Sequence, residues 1–174
     1  MNFAKSTPST IKPRVAISAC LCGRKVRYDG NHKLATTNIP RELLDKINWI
    51  EICPEVYMGL SVPRPAMNLY NFNSQLLSLK EVESLKDHTP KAIEKFDQLI
   101  SDIQPIEAWV LKERSPSCGY LTTPVYTDLD NKEFKIKNGL FVECILKHLP
   151  NSKIFTEKIF ESENSFEEFL GKIK

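Results

Sequence analysis

Short apolar, β-branched runs recur along the chain and predict buried strands. They lie at residues 14–19, 49–52, 108–111 and 153–156. Short, mostly apolar runs of this kind are typical of strands that are covered on both faces. The hydrophobic pattern therefore predicts four buried strands, spread over most of the chain.

Helical spacing of apolar residues separates these runs. The predicted helices cover residues 40–48, 89–103, 139–148 and 160–174. The second helix has the clearest signals, because Thr89 suits the N-cap, Pro90 suits the first helical position, and apolar residues from Ile93 to Ile103 share one face. Strands and helices thus alternate along the chain.

Alternation of this kind predicts an α/β fold. Parallel strands need long crossover connections, so we expect a Rossmann-like, open and mostly parallel sheet with helices on both faces. Residues 1–13 are polar and interrupted by prolines, which predicts a flexible N-terminal tail. Residues 14–174 are of a length that suits a single domain.

The charge balance narrows the classes of function. The chain has 24 basic and 22 acidic side chains, a formal net charge of +2. This balance argues against a nucleic-acid coat protein or a membrane-surface helix. We find neither a signal-peptide core nor a spanning run of about 20 apolar residues, and so expect a cytoplasmic protein. In that reducing compartment the five cysteines are expected to be free thiols or ligands.

Three of the cysteines follow predicted strands. Cys20, Cys53 and Cys118 come after the first three apolar runs. Loops that leave the carboxyl ends of neighbouring parallel strands line one crevice, so these thiols are expected to meet there. Thiolates favour zinc, copper or iron-sulfur centres, and three of them leave one coordination position for a substrate. The sequence therefore predicts a metal or cluster site at the carboxyl ends of the strands.

The same loops carry further polar candidates. Arg27 has the chemistry to meet a phosphate or the carbonyl edge of a heterocycle. Glu55 can activate a water or deliver a proton, although an isolated glutamate is more often a surface group. Ser115 and Ser117 can donate hydrogen bonds to a substrate heteroatom or a thiolate, or simply stabilise a turn.

The two remaining cysteines are interpreted differently. Cys22 lies two positions after Cys20, and in an extended chain the two side chains would point in opposite directions. We favour Cys20 as the ligand because it comes first after the strand, and leave Cys22 open. Cys144 lies in an apolar helical stretch and is expected in the core.

Several motifs now resemble a known family. The first pair of motifs is Ser-Ala-Cys (residues 18–20) and Arg-Tyr-Asp-Gly (27–30). The second is Ile-Cys-Pro-Glu (52–55) and Pro-Arg-Pro (63–65), and the third is Leu-Lys-Glu (111–113) and Ser-Pro-Ser-Cys-Gly (115–119). In this order they are similar to the DUF523 family, which includes thiouracil desulfidases. The similarity extends from about Val15 to about Glu157.

The resemblance implies a cofactor and a reaction. Its loop cysteines, here Cys20, Cys53 and Cys118, would bind a 4Fe-4S cluster and leave one iron open to the sulfur of a thiolated uracil. Removal of that sulfur would be a non-redox desulfuration that yields uracil or uridine and sulfide. Where the family has an apolar residue between the first cysteine and its glycine, this chain has Cys22.

The resemblance also suggests roles for the polar residues. Glu55 would guide protons at the attacking water, and Ser115 or Ser117 would orient the base or stabilise the departing sulfur. Arg27, Tyr28 and Lys112 are the candidates for substrate contact.

The expected substrate is a small molecule: a thiolated base, nucleoside or nucleotide. Relatives that act on transfer RNA are understood to carry an additional domain, so tRNA is the less expected substrate for a chain of this length and charge.

Two other classes remain possible. In a structural zinc or metal-storage protein, four cysteines would close a tetrahedral site, although their wide spacing is unlike that of common zinc modules. In a noncatalytic nucleotide- or RNA-binding module, loop arginines would hold phosphate and the cysteines would only be buried.

Overall fold

A computed structural model describes residues 11–72 and 76–173 of the protein. Its strands are Arg14–Ser18 (β1), Asn48–Ile52 (β2), Met67–Tyr70 (β3), Ser78–Glu81 (β4), Ala108–Leu111 (β5), Thr123–Tyr126 (β6), Phe134–Lys137 (β7) and Lys153–Thr156 (β8). Its α-helices are Arg41–Leu44 (α1), Pro54–Tyr57 (α2), Thr89–Ile103 (α3), Leu140–His148 (α4) and Glu163–Ile173 (α5). Short 3-10 turns cover Ala19–Cys22, Thr36–Asn38 and Glu157–Phe160.

The first sheet contains the four strands predicted from the sequence. Its order is β2-β1-β5-β8, and all its neighbouring strands are parallel. Val15 of β1 pairs with both Trp49 of β2 and Ala108 of β5. The chain thus runs outward from β1 to β2 on one side, and from β5 to β8 on the other. The carboxyl ends of β1 and β5 therefore form the topological switch point, where α/β folds bind ligands.

Helices cover both faces of the first sheet, so the predicted α/β fold is confirmed. On one face Ala16 and Trp109 pack with α3 and α4, and Phe141 contacts Trp109 edge to face at 5.8 Å. On the other face Val15 and Val110 pack with α5 and its aromatic residues. Alternate residues of each strand therefore serve two separate apolar clusters.

A second sheet packs against the first apolar cluster and was not predicted. Its order is β4-β3-β6-β7, with β3 and β6 parallel and the outer pairs antiparallel. Leu69, Leu79 and Val125 point into the core shared with α3 and α4. The whole of β7 is exposed.

Three local predictions need correction. The helix predicted at residues 40–48 is only the single turn α1, because the chain enters β2 at Asn48. Thr89 is the first residue of α3 rather than its N-cap, and its hydroxyl accepts a hydrogen bond from the Leu79 amide at 2.8 Å. After Cys53 the chain forms the short helix α2 instead of an irregular loop, since Pro54 suits the first helical position.

The predicted tail, residues 1–13, lies outside the described residues except for 11–13, where Ile11 is 95% exposed. Within the described ranges, every helix is too short or too polar to cross a membrane.

Candidate active site

A cavity of about 580 Å³ opens at the carboxyl ends of β1, β2 and β5. The loops that follow these three strands line it, and so do residues of β3 and β6 in the second sheet. Cys20, Cys53 and Cys118 all line it, together with Glu55 and Ser115. The convergence of the three thiols that the sequence predicts is therefore present in the structure.

Each thiol is held by a different local element. Cys20 lies in the 3-10 turn that directly continues β1, and Gly23 ends this turn with a φ of 90° that favours glycine. Cys53 is the N-cap of α2, and its thiol donates to the Val26 carbonyl at 3.8 Å. Cys118 is buried in the loop after β5, where its amide donates to the Ser115 hydroxyl oxygen at 3.0 Å.

The thiols are buried close to one another. Burial, and then the neighbouring Cys53, raise the pKa of Cys20 to about 11. Burial also raises the pKa of Cys53, and it raises that of Cys118 well above the usual range, with contributions from both other thiols. Ligand thiols must lose their protons, so this arrangement favours thiolates only when a cationic centre compensates their charge.

The three thiols line a cavity that is large enough to hold a cluster. Among the described residues, no three His, Cys, Asp or Glu side chains are arranged to hold one metal ion. In a cluster each thiolate binds a different iron, so its ligands surround a volume instead of converging on one point. Three thiols that line one roomy cavity therefore fit a cluster with three protein ligands.

Glu55 lies at the cavity wall in the first turn of α2, and is only 8% exposed. Its Oε1 accepts a hydrogen bond from the Ser117 hydroxyl at 2.9 Å, and Ser117 is fully buried. Its Oε2 accepts from Arg64 Nε at 2.8 Å. Glu55 is thus a fixed carboxylate inside the site, and not the surface group that a lone glutamate usually is.

Ser115 mainly organises the loop that carries Cys118. Its hydroxyl oxygen accepts from the amides of Ser117 at 3.3 Å and Cys118 at 3.0 Å. The Leu140 amide at the start of α4 donates to the Pro116 carbonyl at 2.9 Å. The start of α4 thereby anchors this loop.

Close packing at Gly139 locks the same loop. A Cβ on Gly139 would lie 2.4 Å from the Ser117 carbonyl oxygen. Only glycine allows the two backbones to approach this closely.

Arg27, Tyr28 and Lys112 all line the cavity. Arg27 pairs with Asp29, Nε to Oδ1 at 3.3 Å, and Tyr28 is 44% exposed. Lys112 Nζ donates hydrogen bonds to Glu157 Oε1 at 2.5 Å and to the Glu113 carbonyl at 2.9 Å. Arg27 and Tyr28 are thus the more accessible of the three proposed substrate contacts.

The other two cysteines have different surroundings. Cys22 packs against the apolar cluster on the α5 face of the first sheet, and burial, followed by Glu51, raises its pKa to about 12. Cys144 is 5% exposed within the core shared with α3 and α4, as predicted.

Sequence reasoning missed several residues of the site. Ser18 and Arg64 lie within the motifs quoted above, but a motif alone does not show that their side chains are buried beside the cavity. Asn68 and Tyr126 reach the cavity from the second sheet, and their strands lack the long apolar runs that identify the first sheet.

Comparisons with known proteins agree with this geometry. The sequence model of the 2-thiouracil desulfurase family matches residues 15–158. The uncharacterized protein YbbK of Bacillus subtilis (strain 168) is 34% identical over 111 residues, which make up 60% of this chain and 72% of that protein.

A solved structure is also similar. It is described as the 4Fe-4S-dependent thiouracil desulfidase TudS, and is 28% identical, with a TM-score of 0.69 over 91% of this chain and 99% of that chain. The family resemblance drawn from the motifs is therefore confirmed: the chain belongs to the 2-thiouracil desulfurase family.

Proposed function

We propose that this protein is a 4Fe-4S-dependent desulfidase acting on thiolated uracil. The reaction is hydrolytic: water replaces the thiocarbonyl sulfur of the base, giving the carbonyl compound and hydrogen sulfide, with no change of oxidation state. One observation carries the proposal, namely three thiols from three strand ends that line one cavity beside the buried Glu55.

The donor set fits the cluster. Cys20, Cys53 and Cys118 would hold it, since thiolates are the usual ligands of iron-sulfur centres. When bound, a cluster with three protein ligands supplies a Lewis-acidic iron that is open to the sulfur of the substrate.

The residues around the thiols supply the acid-base chemistry. Glu55 is the proposed group that takes the proton from the attacking water and returns it during sulfur departure. The Ser117 hydroxyl holds Glu55 Oε1 at 2.9 Å and so fixes the direction of the carboxylate. Ser115 is proposed to act with Ser117 in keeping the loop of Cys118 in register, through its two amide contacts.

Substrate contacts are proposed from both the strand-end loops and the second sheet. Arg27 and Tyr28 line the cavity from the loop after β1, and suit the carbonyl edge and the face of a heterocycle. Asn68 and Tyr126 line it from β3 and β6. Lys112 is proposed to contribute by its charge. A cavity of this size accepts a base, nucleoside or nucleotide, and we propose such small molecules as substrates in preference to tRNA.

A cytoplasmic location is part of the proposal. All five cysteines are free thiols in the structure, and a reducing compartment keeps them so.

Anaerobic reconstitution with iron and sulfide tests the proposal. We expect about four irons and four sulfides per chain and a broad brown absorbance. The reconstituted protein should then release sulfide from 2- or 4-thiouracil, 4-thiouridine or 4-thiouridine monophosphate, and more slowly or not at all from tRNA that contains 4-thiouridine.

Cys53→Ser provides the control, and should lose both the colour and the sulfide release. Zinc alone, or no metal under reconstituting conditions, would overturn the desulfidase and favour a binding module. Equal ligand binding by wild type and Cys53→Ser, with no turnover by either, would favour the same alternative.

A further inference from the structure

Arg64 is an almost fully buried arginine next to the candidate active site. Its side chain is 4% exposed, and it lies between Pro63 and Pro65 in the segment after α2. A buried guanidinium is unfavourable unless its charge and its hydrogen-bond donors are satisfied. The contacts of Arg64 therefore show which groups satisfy its charge and its donors.

Its first partner is Glu55. Arg64 Nε and Nη2 both approach Oε2 of Glu55, at 2.8 and 2.7 Å. Oε1 is left for the Ser117 hydroxyl, at 2.9 Å. The two carboxylate oxygens thus have separate partners on opposite sides, which allows one orientation of the carboxylate.

Its second partner is the backbone of the loop that follows Cys20. Arg64 Nη1 and Nη2 each donate to the Val26 carbonyl at 3.0 Å, and the Arg64 amide donates to the Tyr28 carbonyl at 2.9 Å. The Cys53 thiol donates to the same Val26 carbonyl at 3.8 Å. Arg64 and the Cys53 thiol thus share the Val26 carbonyl as acceptor.

We propose that Arg64 is a positioning residue that joins the three cysteine-bearing loops and orients Glu55 toward the reacting base. It contacts the first loop at Val26 and the second at Glu55, and it reaches Ser117 of the third loop through the Glu55 carboxylate. Arginine is needed because its planar fork reaches Glu55 and Val26 at once, whereas the single ammonium of lysine cannot span both in this geometry. The inference rests on the proposed desulfidase function for its catalytic part.

Arg64→Lys tests the proposal, because it keeps the charge and removes the fork. Arg24→Lys is the matched control: Arg24 also bonds a glutamate, Glu51, with Nε and Oε2 2.6 Å apart, but its side chain is 68% exposed. Hydrogen–deuterium exchange is measured on the full chain as purified and after reconstitution. Amides of residues 26–31 should exchange at least about tenfold faster in Arg64→Lys, and within about twofold of wild type in Arg24→Lys.

Kinetics of the reconstituted protein give the second readout. Per bound cluster, kcat of Arg64→Lys should fall at least about tenfold through the misplaced Glu55, and KM should rise because Arg27 and Tyr28 lie in the loop that Arg64 holds. Combining Arg64→Lys with Glu55→Gln should be no slower than Glu55→Gln alone, because the arginine acts through the carboxylate. A multiplicative loss in the double variant, or exchange and kcat within about twofold of wild type in Arg64→Lys, would overturn the proposal.

A second comparison covers the case in which Arg64→Lys folds poorly. Arg64→Gln in the Glu55→Gln background removes both charges of the buried pair, so that neither is left unpaired. Exchange of residues 26–31 should be faster in this double variant than in Glu55→Gln, and equal exchange would contradict the proposed link. If wild type releases no sulfide the desulfidase proposal fails, while the exchange measurements still decide whether Arg64 holds the loops.

Discussion

The two sheets of this protein contribute to the cavity in different ways. The first sheet is entirely parallel and buried between two apolar clusters, and all three cavity thiols follow its strands. The second sheet is mixed, one of its outer strands is fully exposed, and it offers the cavity polar and aromatic side chains such as Asn68 and Tyr126. A rigid support thus carries the candidate cofactor ligands, while a more exposed element faces the substrate side.

The cysteines give the largest expected difference. Cys118 and Cys144 are matched in burial, at 6% and 5% exposed, but only Cys118 lies on the cavity. Cys118→Ser should abolish cluster loading and sulfide release, and Cys144→Ser should retain both. Iron and sulfide analysis after reconstitution checks this, and a loaded, active Cys118→Ser variant would remove this residue from the ligand set.

The next effect concerns the anchor of the loop that carries Cys118. Gly139→Ala would place a methyl group against the Ser117 carbonyl, and such overpacking destabilises by about 1–3 kcal/mol, or a fall in Tm of roughly 2–12 °C. Cluster content should fall with it. Thermal unfolding of Gly139→Ala measures the loss.

Gly171→Ala is the control for this substitution. Apart from its chain neighbours and the backbone of its own helix, no atom lies within 4 Å of a Cβ at this position, so the variant should be as stable as wild type or more stable by up to about 1 kcal/mol. A Gly139→Ala protein with wild-type Tm and iron content would show that the close approach does not anchor the loop.

A smaller effect is expected from the second sheet. Asn68 Nδ2 donates to Asn131 Oδ1 at 3.1 Å, which orients the amide and leaves its oxygen for a ligand. Asn68→Ala should raise KM about three- to tenfold at unchanged iron content, the usual value of one hydrogen bond. Steady-state kinetics check this, with Lys135→Ala on exposed β7 as the control. Equal KM values in the two variants would show that Asn68 of the second sheet does not bind the substrate.

The smallest effect is a pH dependence of stability at β4. Hydrogen bonds from Ser84, and then from His88 Nε2 at 2.8 Å, lower the pKa of Glu81 from its usual value of 4.5. As the pH falls, Glu81 therefore takes up its proton at a higher pH in the unfolded chain than in the folded chain. The stability that this carboxylate contributes is present above pH 4.5 and is lost as the pH falls through the pKa of the folded state.

Glu81→Gln should therefore lower Tm slightly at pH 6, and the difference from wild type should shrink toward pH 3. Exposed Glu167→Gln on α5 serves as the control. A difference that stays constant with pH would show that Glu81 does not stabilise the second sheet through its charge.

The contrast between the sheets also explains what the sequence could predict. The strands of the first sheet are covered on both faces, so their apolar runs are visible without any tertiary information. The four-residue strands of the second sheet contain Asn68, Pro124 and, in β7, alternating lysines, so no such run marks them. Their existence depends on partners distant in sequence.

The site shows the same division. The thiols could be placed from strand order alone, because parallel strands bring their carboxyl ends together. The burial of Glu55 could not, because it depends on Arg64, and the pairing of two charges nine positions apart across the end of α2 has no local signature. The residue types in the sequence therefore predict which chemical groups the site contains, and tertiary contacts determine which of those groups are accessible.

The wide separation of the three cavity cysteines has a consequence for how the protein matures. Each lies more than thirty residues from the next, and they approach one another only when β1, β2 and β5 pair. A newly made chain therefore offers no compact ligand motif to an incoming metal, unlike a zinc finger. The proposed ligand set is therefore assembled only by the folded first sheet, so cluster binding and folding of that sheet are expected to be coupled.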